Sequence, residues 1–219
     1  SVAAIAGEGL GRERDWAGEQ RRFWADLPGP EAIGRLAGER AVANLSPKKP
    51  PAGRYPVILD ERVASSFIRH ILGAINGLAV ARGSSWLADA METGILPRGF
   101  EIAEDPLLPR GPASRPFDAE GLATRRRRLV ADGRLMSWVL DLSTARKLGL
   151  ESTGNARRGV TGPPSPGTTN IRVTQGAMSR EALMAEIGTG LLVTSFIGSS
   201  INPTTGAYSR GASGVWIPG

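Results

Sequence analysis

The stretch ERVASSFIRHILGAINGLAVA, residues 61–81, decides how this chain is read. Val63, Phe67, Ile71, Ile75 and Leu78 recur at three- and four-residue steps, which puts them on one face of a helix from Glu61 to Ala81. The small residues Gly73, Ala74 and Gly77 predict close backbone packing on that helix. Upstream lie a short strand, Tyr55–Leu59, and a linker, Pro47-Lys-Lys-Pro-Pro51, whose prolines stop any helix and set a sub-boundary near residues 47–53. Before the linker, Pro28 to Leu45 reads as an amphipathic helix with Ile33, Leu36, Ala37, Ala41 and Leu45 on its face. A charged, aromatic-bearing segment, Arg12–Trp24, precedes it, and the chain opens on the strand-like Ser-Val-Ala-Ala-Ile.

Downstream, residues 94–121 are loop-like and rich in Pro and Gly. Thr124–Val130 and Arg134–Asp141, joined by Ala131-Asp132-Gly133, read as a hairpin with a Gly-bearing turn. A polar loop (Ser152–Gly167) and a strand (Thr169–Thr174) follow. Ser179 is placed to cap a helix over Arg180–Ile187. Gly190–Phe196 reads as a strand inside a sheet, then comes a loop through Asn202-Pro203 and Gly206, and a last strand, Ser213–Ile217. Strands and helices mix without strict alternation. The expected class is α+β, a mostly antiparallel sheet packed with amphipathic helices.

With 219 residues, 41% of them hydrophobic, the chain can bury a substantial core. Its 29 Gly and 16 Pro stay short of the roughly 25–30% that marks low complexity. There is no cysteine and one histidine, so thiol nucleophiles, Cys-ligated zinc and any multi-histidine metal site within this chain are excluded. The net charge of +6 invites a nucleic-acid reading. That reading is weak, because the basic residues are almost all arginines scattered among 21 acids, and only Arg125–Arg128 form a run. Ile187 to Ser209 is uncharged and long enough for a membrane span of ~20 residues. Gly188, Gly190, Gly198, Asn202, Pro203 and Gly206 break it into a strand and a turn-rich loop, so no membrane association is expected. No targeting segment is visible and the expected location is cytoplasmic. A strand already under way at Ser1, without an initiator Met, suggests processing, trimming or a fragment.

Several residues invite chemistry. Gly7-Glu-Gly9-Leu-Gly11 resembles a phosphate loop but lacks the Lys-Ser/Thr that follows one, so a turn is favoured. His70, between Arg69 and Ile71 at the edge of the apolar face, is the only histidine a catalytic triad could use. With no nucleophile-elbow sequence, packing is its favoured role. Glu104, Asp105, Asp118 and Glu120 could offer oxygens to a hard cation. Pairing with Arg110, Arg115 and Arg125 is preferred. The polar run Asn202, Thr204, Thr205, Tyr208, Ser209 and Arg210 is either a binding loop carried by a rigid strand or a structural corner.

An ordered set of runs carries a resemblance. Glu104-Asp105-Pro106-Leu107, Ser114–Gly121 (SRPFDAEG), Ser143–Leu148 (STARKL) and Ser152–Ala156 (STGNA) are followed by Gly190–Thr194 and Asn202–Gly214 (NPTTGAYSRGASG). Together they resemble the TldD/PmbA family, also called modulators of DNA gyrase or U62-like peptidases, in the order of its PmbA (TldE) branch. The likeness covers essentially the whole chain, which is similar to the C-terminal half of such a protein, the N-terminal domain lying outside it.

The resemblance implies proteolysis. TldD subunits carry His-Glu-x-x-x-His on a helix, with a cysteine as a further zinc ligand. The register suggested by Gly77-Leu78 sets Ile71 and Asn76 where the histidines would stand and Leu72 where the Glu would stand. The resemblance therefore implies a non-catalytic subunit that binds no cofactor itself. It would form a heterodimer with a zinc-bearing TldD-like metallopeptidase, or a homodimer, and help enclose unfolded peptides for degradation or maturation. A DNA-associated modulator and an independent hydrolase using Asp105, Asp118 and Glu120 are the alternatives.

Overall fold

Val2–Ala6 (β1) and Glu13–Ala17 (β2) form an antiparallel hairpin in which Val2 faces Ala17 and Ala6 faces Glu13. The second strand was hidden in the sequence because Glu13-Arg-Asp-Trp carries charge on both of its faces. Gly7-Glu-Gly9-Leu-Gly11 is spent on the turn between them. Gly7 sits at φ +86°, and a Cβ there would lie 2.6 Å from the Gly11 carbonyl oxygen. Pro30–Ala43 (α1) packs across this hairpin. Only Ala37 and Ala41 of its expected apolar face are buried, while Leu36 and Leu45 remain exposed. These elements make up a first compact unit, Ser1–Pro56, so the division falls just beyond the proline linker. The structure is a computed structural model that describes residues 1–218, and of residues 199 and 200 the backbone alone.

The second unit opens with Val57–Leu59 (β3) and Glu61–Ala74 (α2). Asp60 caps α2, its carboxylate accepting from the Arg62 amide at 3.2 Å. Val63, Ile71, Ala74 and Ile75 are buried as the periodicity requires. Phe67 does not follow them and is 41% exposed. Nor is the helix continuous to Ala81. It stops at Ile75 and restarts as Gly77–Ala81 (α3), with the extended Asn76 as the new cap, its side chain accepting from the Leu78 amide.

The cause of the break lies far away in sequence. Val139 accepts from the Gly77 amide at 2.8 Å and donates to the Ile75 carbonyl at 3.0 Å, forming one rung of a parallel bridge. The groups freed by breaking the helix are thereby satisfied. Gly77 permits the approach, since a Cβ there would meet Leu140 Cδ2 at 2.6 Å and the Val139 carbonyl oxygen at 2.9 Å. Gly73, expected to play a similar part, faces open space. Gly77→Ala should therefore lower stability by about 1–3 kcal/mol, read as a lower urea midpoint, whereas Gly73→Ala should not.

The remaining elements follow in order: Ile102–Glu104 (β4), Arg127–Ala131 (β5), Arg134–Leu135 (β6), Leu142–Leu148 (α4), Ala156–Arg157 (β7), Ser165–Pro166 (β8), Ile171–Val173 (β9), Arg180–Ile187 (α5), Gly190–Ile201 (β10) and Tyr208–Ile217 (β11). Strands β6-β5-β4-β9 form an antiparallel sheet, and β7-β8 form a small hairpin within the polar loop. Asp132 (φ +48°) and Gly133 (φ +75°) supply the two left-handed residues of a tight hairpin turn. Beyond it the paired strand is only two residues long, because residues 136–140 leave the sheet to reach the helix break. Ser179 caps α5, accepting from the Ala182 amide.

Helix α4 was not expected. Asp141 and Thr144 form a reciprocal capping box at its start, and Gly149 closes it at φ +67°. In the last sheet, ordered β11-β10-β3, β10 runs parallel to β3 and antiparallel to β11. Among the described residues β10–β3 is the one parallel pair of named strands, the others being antiparallel. The main core joins Ile71, Ile75, Val80, Leu87, Ile102, Leu129, Val130, Leu135, Trp138 and Val139.

Candidate functional site

Residues 202–210 divide between two structures. Strand β10 continues past Phe196 to Ile201, and β11 begins at Tyr208 rather than Ser213, so the expected long loop is the tight end of a hairpin. Pairing with β11 lapses at Gly198 (φ +75°) and Ser199, an irregularity in the register, and resumes where Ser200 and Ile201 meet Ser209 and Tyr208. Asn202 Oδ1 accepts from the amides of Thr204 (2.9 Å) and Thr205 (3.2 Å), which is an Asx turn. Its acceptor is therefore committed to the turn. Thr204, Thr205 and Ser209 are exposed.

The tip is also held from below. The Pro203 carbonyl accepts from the Trp86 amide at 2.9 Å, and Gly206 (φ +74°) lies on the Trp86 indole, where a Cβ would come within 3.0 Å of the ring. Sequence gave no local sign that Trp86 would support this turn.

Tyr208 and Arg210 face α2. The Tyr208 ring meets Phe67, His70 and Phe196 edge-on, with centroids 6.1, 5.6 and 6.1 Å away. The Arg210 guanidinium stacks 4.9 Å above the Phe196 ring. His70 is thus a packing residue at a boundary. Burial first, then the charges of Arg210 and Arg69, hold its pKa below the ordinary imidazole value. Its Nε2 and Arg210 Nε are buried with no hydrogen-bond partner among the described residues.

The three positions that the resemblance was expected to set at a metal motif, Ile71, Leu72 and Asn76, serve structure. Ile71 lies in the core and Leu72 packs against it. Asn76 Oδ1 accepts from the Leu78 amide, and its Nδ2 donates to the Pro166 carbonyl at 2.9 Å. Two hydrocarbon chains and an amide already used at both ends do not fit a divalent ion. Among the described residues, no three His, Asp or Glu side chains are placed to share a metal.

The four acids do not converge. Buried Glu104 accepts from Asn155 Nδ2 at 2.9 Å and from the Thr169 amide and hydroxyl. Asp118 accepts from the amides of Glu120 and Leu122 within its own turn and from that of Ala156, and so ties the turn to β7. Glu120 accepts from the Leu142 amide at the start of α4. Asp105 pairs with Arg126 at 3.1 Å, a different arginine from those expected. Arg115 and Arg127 flank Glu104, whose charge partly offsets the lowering of their pKa by burial. Asn155 and Thr169, which the sequence did not single out, complete this network.

Among the described residues no helix is long and apolar enough to cross a membrane. A family described as the PmbA/TldA metallopeptidase C-terminal domain matches residues 52–219. Metalloprotease PmbA of Escherichia coli O157:H7 is 41% identical over 99% of this chain and 46% of its own length. The Haemophilus influenzae PmbA homologue is 36% identical over 99% of this chain and 46% of its own. The chain thus spans just under half the length of these curated relatives.

A solved Bacteroides thetaiotaomicron protein named for modulating DNA gyrase has a TM-score of 0.88 at 28% identity, covering 99% of this chain and 47% of that one. TldE from Thermococcus kodakarensis shares the fold, with a TM-score of 0.68 at 24% identity over 91% of this chain and 46% of that one. From its α+β order to the match over residues 52–219, this chain belongs to the PmbA/TldD family, in the region of that family's C-terminal domain.

Proposed function

We infer that this chain is part of a TldE-like, cytoplasmic subunit that has no metal site of its own and works beside a TldD-like metallopeptidase. Its role is to enclose and present unfolded peptide. The observation that carries this is the break between α2 and α3, where Ile71, Leu72 and Asn76 are spent on core and cap. The name metalloprotease belongs to relatives about twice as long, and the donor atoms aligned here cannot supply what that name requires. In the companion subunit, zinc would polarise the scissile carbonyl and lower the pKa of its bound water. This chain would contribute the exposed hydroxyls of Thr204, Thr205 and Ser209, held in place by the Asx turn and Trp86.

Co-expression with a TldD-like subunit bearing His-Glu-x-x-x-His tests the reading. The two should purify together and cleave unfolded peptide, a chelator should stop the cleavage, and this chain alone should neither cleave nor carry stoichiometric zinc. Chelator-sensitive cleavage by this chain alone would show an independent hydrolase. Duplex DNA binding that falls steeply with salt, with no companion subunit retained, would favour the gyrase-modulator reading.

A further inference from the structure

We propose that the outer face of the β4–β5–β9 sheet carries a carboxylate-binding site, with Arg128 and Arg172 as its two prongs, which receives an acidic side chain of a bound peptide. Naming the side chain deepens the peptide-presenting reading and rests on it. Arg128 and Arg172 both stand opposite Ala103, one on each side, so the three form a row across adjacent strands. Strands lie about 4.8 Å apart, which sets the two arginine Cα atoms roughly 10 Å apart with only a methyl group between them. Two guanidinium forks can close on one carboxylate across that span.

A bulge aims one of the prongs. Ile102 pairs with Val130, but Ala103 pairs with Arg128, so Leu129 is passed over in the register. Leu129 and Val130, though neighbours, are both fully buried as a result. Without the extra residue, alternation would turn Arg128 inward beside Glu104.

The cavity over this row has a volume of about 430 Å³ and is lined by four arginines against two carboxylates. Both carboxylates are occupied: Asp105 by Arg126, and Glu104 by Asn155 and Thr169. Arg128 is 68% exposed and forms an ion pair with Glu101 at 3.8 Å, too long for a hydrogen bond and open enough to solvent for an incoming carboxylate to displace it. Arg172 is exposed and has no ion pair or hydrogen bond among the described residues. Arg172 is therefore available as it stands, and Arg128 is held only by that exposed pair. The lining has no aromatic ring on which a base could stack, and its two acids interrupt any track for a phosphate backbone.

Fluorescence anisotropy with this chain and a labelled, glutamate-rich hexapeptide tests the site, its glutamine counterpart serving as control. The glutamate peptide should bind at low salt and the glutamine peptide should not. The Arg128→Gln/Arg172→Gln double variant should weaken binding at least about tenfold with its melting temperature unchanged. The Arg128→Lys/Arg172→Lys pair should recover only part of the loss, since charge returns without the fork.

Equal binding of both peptides, or full affinity in the glutamine double variant, would overturn the proposal. So would full recovery in the lysine pair, or a single-stranded oligonucleotide of equal charge displacing the peptide from the same residues. Binding is read on this chain alone, so its failure leaves pairing with a metallopeptidase subunit standing. Failure of that pairing would likewise leave the binding result intact.

Discussion

Glu104→Ala should destabilise the second unit by about 3–5 kcal/mol, the range found when one member of a buried charged network is removed. Glu104 is 3% exposed, and its carboxylate accepts from Asn155 and Thr169, which come from segments about 50 and 65 residues downstream. Truncation would strand those donors in the interior and leave half-buried Arg115 and Arg127 without the nearby negative charge. Glu104→Gln keeps one acceptor oxygen and the side-chain volume, so it should cost clearly less. Urea unfolding followed by tryptophan fluorescence would measure both. A loss under about 1 kcal/mol for the alanine variant would mean that water replaces the carboxylate and that the network does not hold these segments.

Ile75→Ala should cost about 2–5 kcal/mol, with Ile75→Val nearer 0.5–1.5. Ile75 is fully buried in the main core, and its carbonyl accepts from the Val139 amide at the helix break. Its neighbours come from both helices, the antiparallel sheet and residues 138–140, so the gap left by truncation cannot close by moving one element. A small loss for Ile75→Ala alongside a large one for exposed Phe67→Ala would show that the apolar face has been assigned the wrong way round. Ile71, one turn earlier on the same face, lies in the same core.

Features fixed by nearby residues were legible in the sequence. The buried face of α2, the Asp132-Gly133 turn and the Ser179 cap each follow from residues within a few positions of one another. What was not legible was decided by distant partners. Asn76 ends α2 because Val139 arrives to take up the freed backbone groups. Tyr208 to Ala212 form a strand because β10 extends alongside them, although their composition suits a loop.

Choice of ionic partner was equally opaque. Asp105 meets Arg126 through the register of two strands, and no spacing separates that arginine from Arg125. At the candidate site, the sequence located the polar hairpin end. It could not show that Asn202 is consumed by its own turn or that Trp86 supports it. The cavity residues Arg128 and Arg172 stayed hidden because a bulge and a separate strand bring them to one row.

The helix break at Asn76 has a bearing on how the chain matures. Asn76 leaves the ribosome about sixty residues before Val139, so the native kink cannot be locked while residues 61–81 are newly made. During that interval the amphipathic segment is free to run on as a single continuous helix. The rung that holds the bend between α2 and α3 can close only once Val139 is in place, so the bend is tied to the assembly of the core around Trp138.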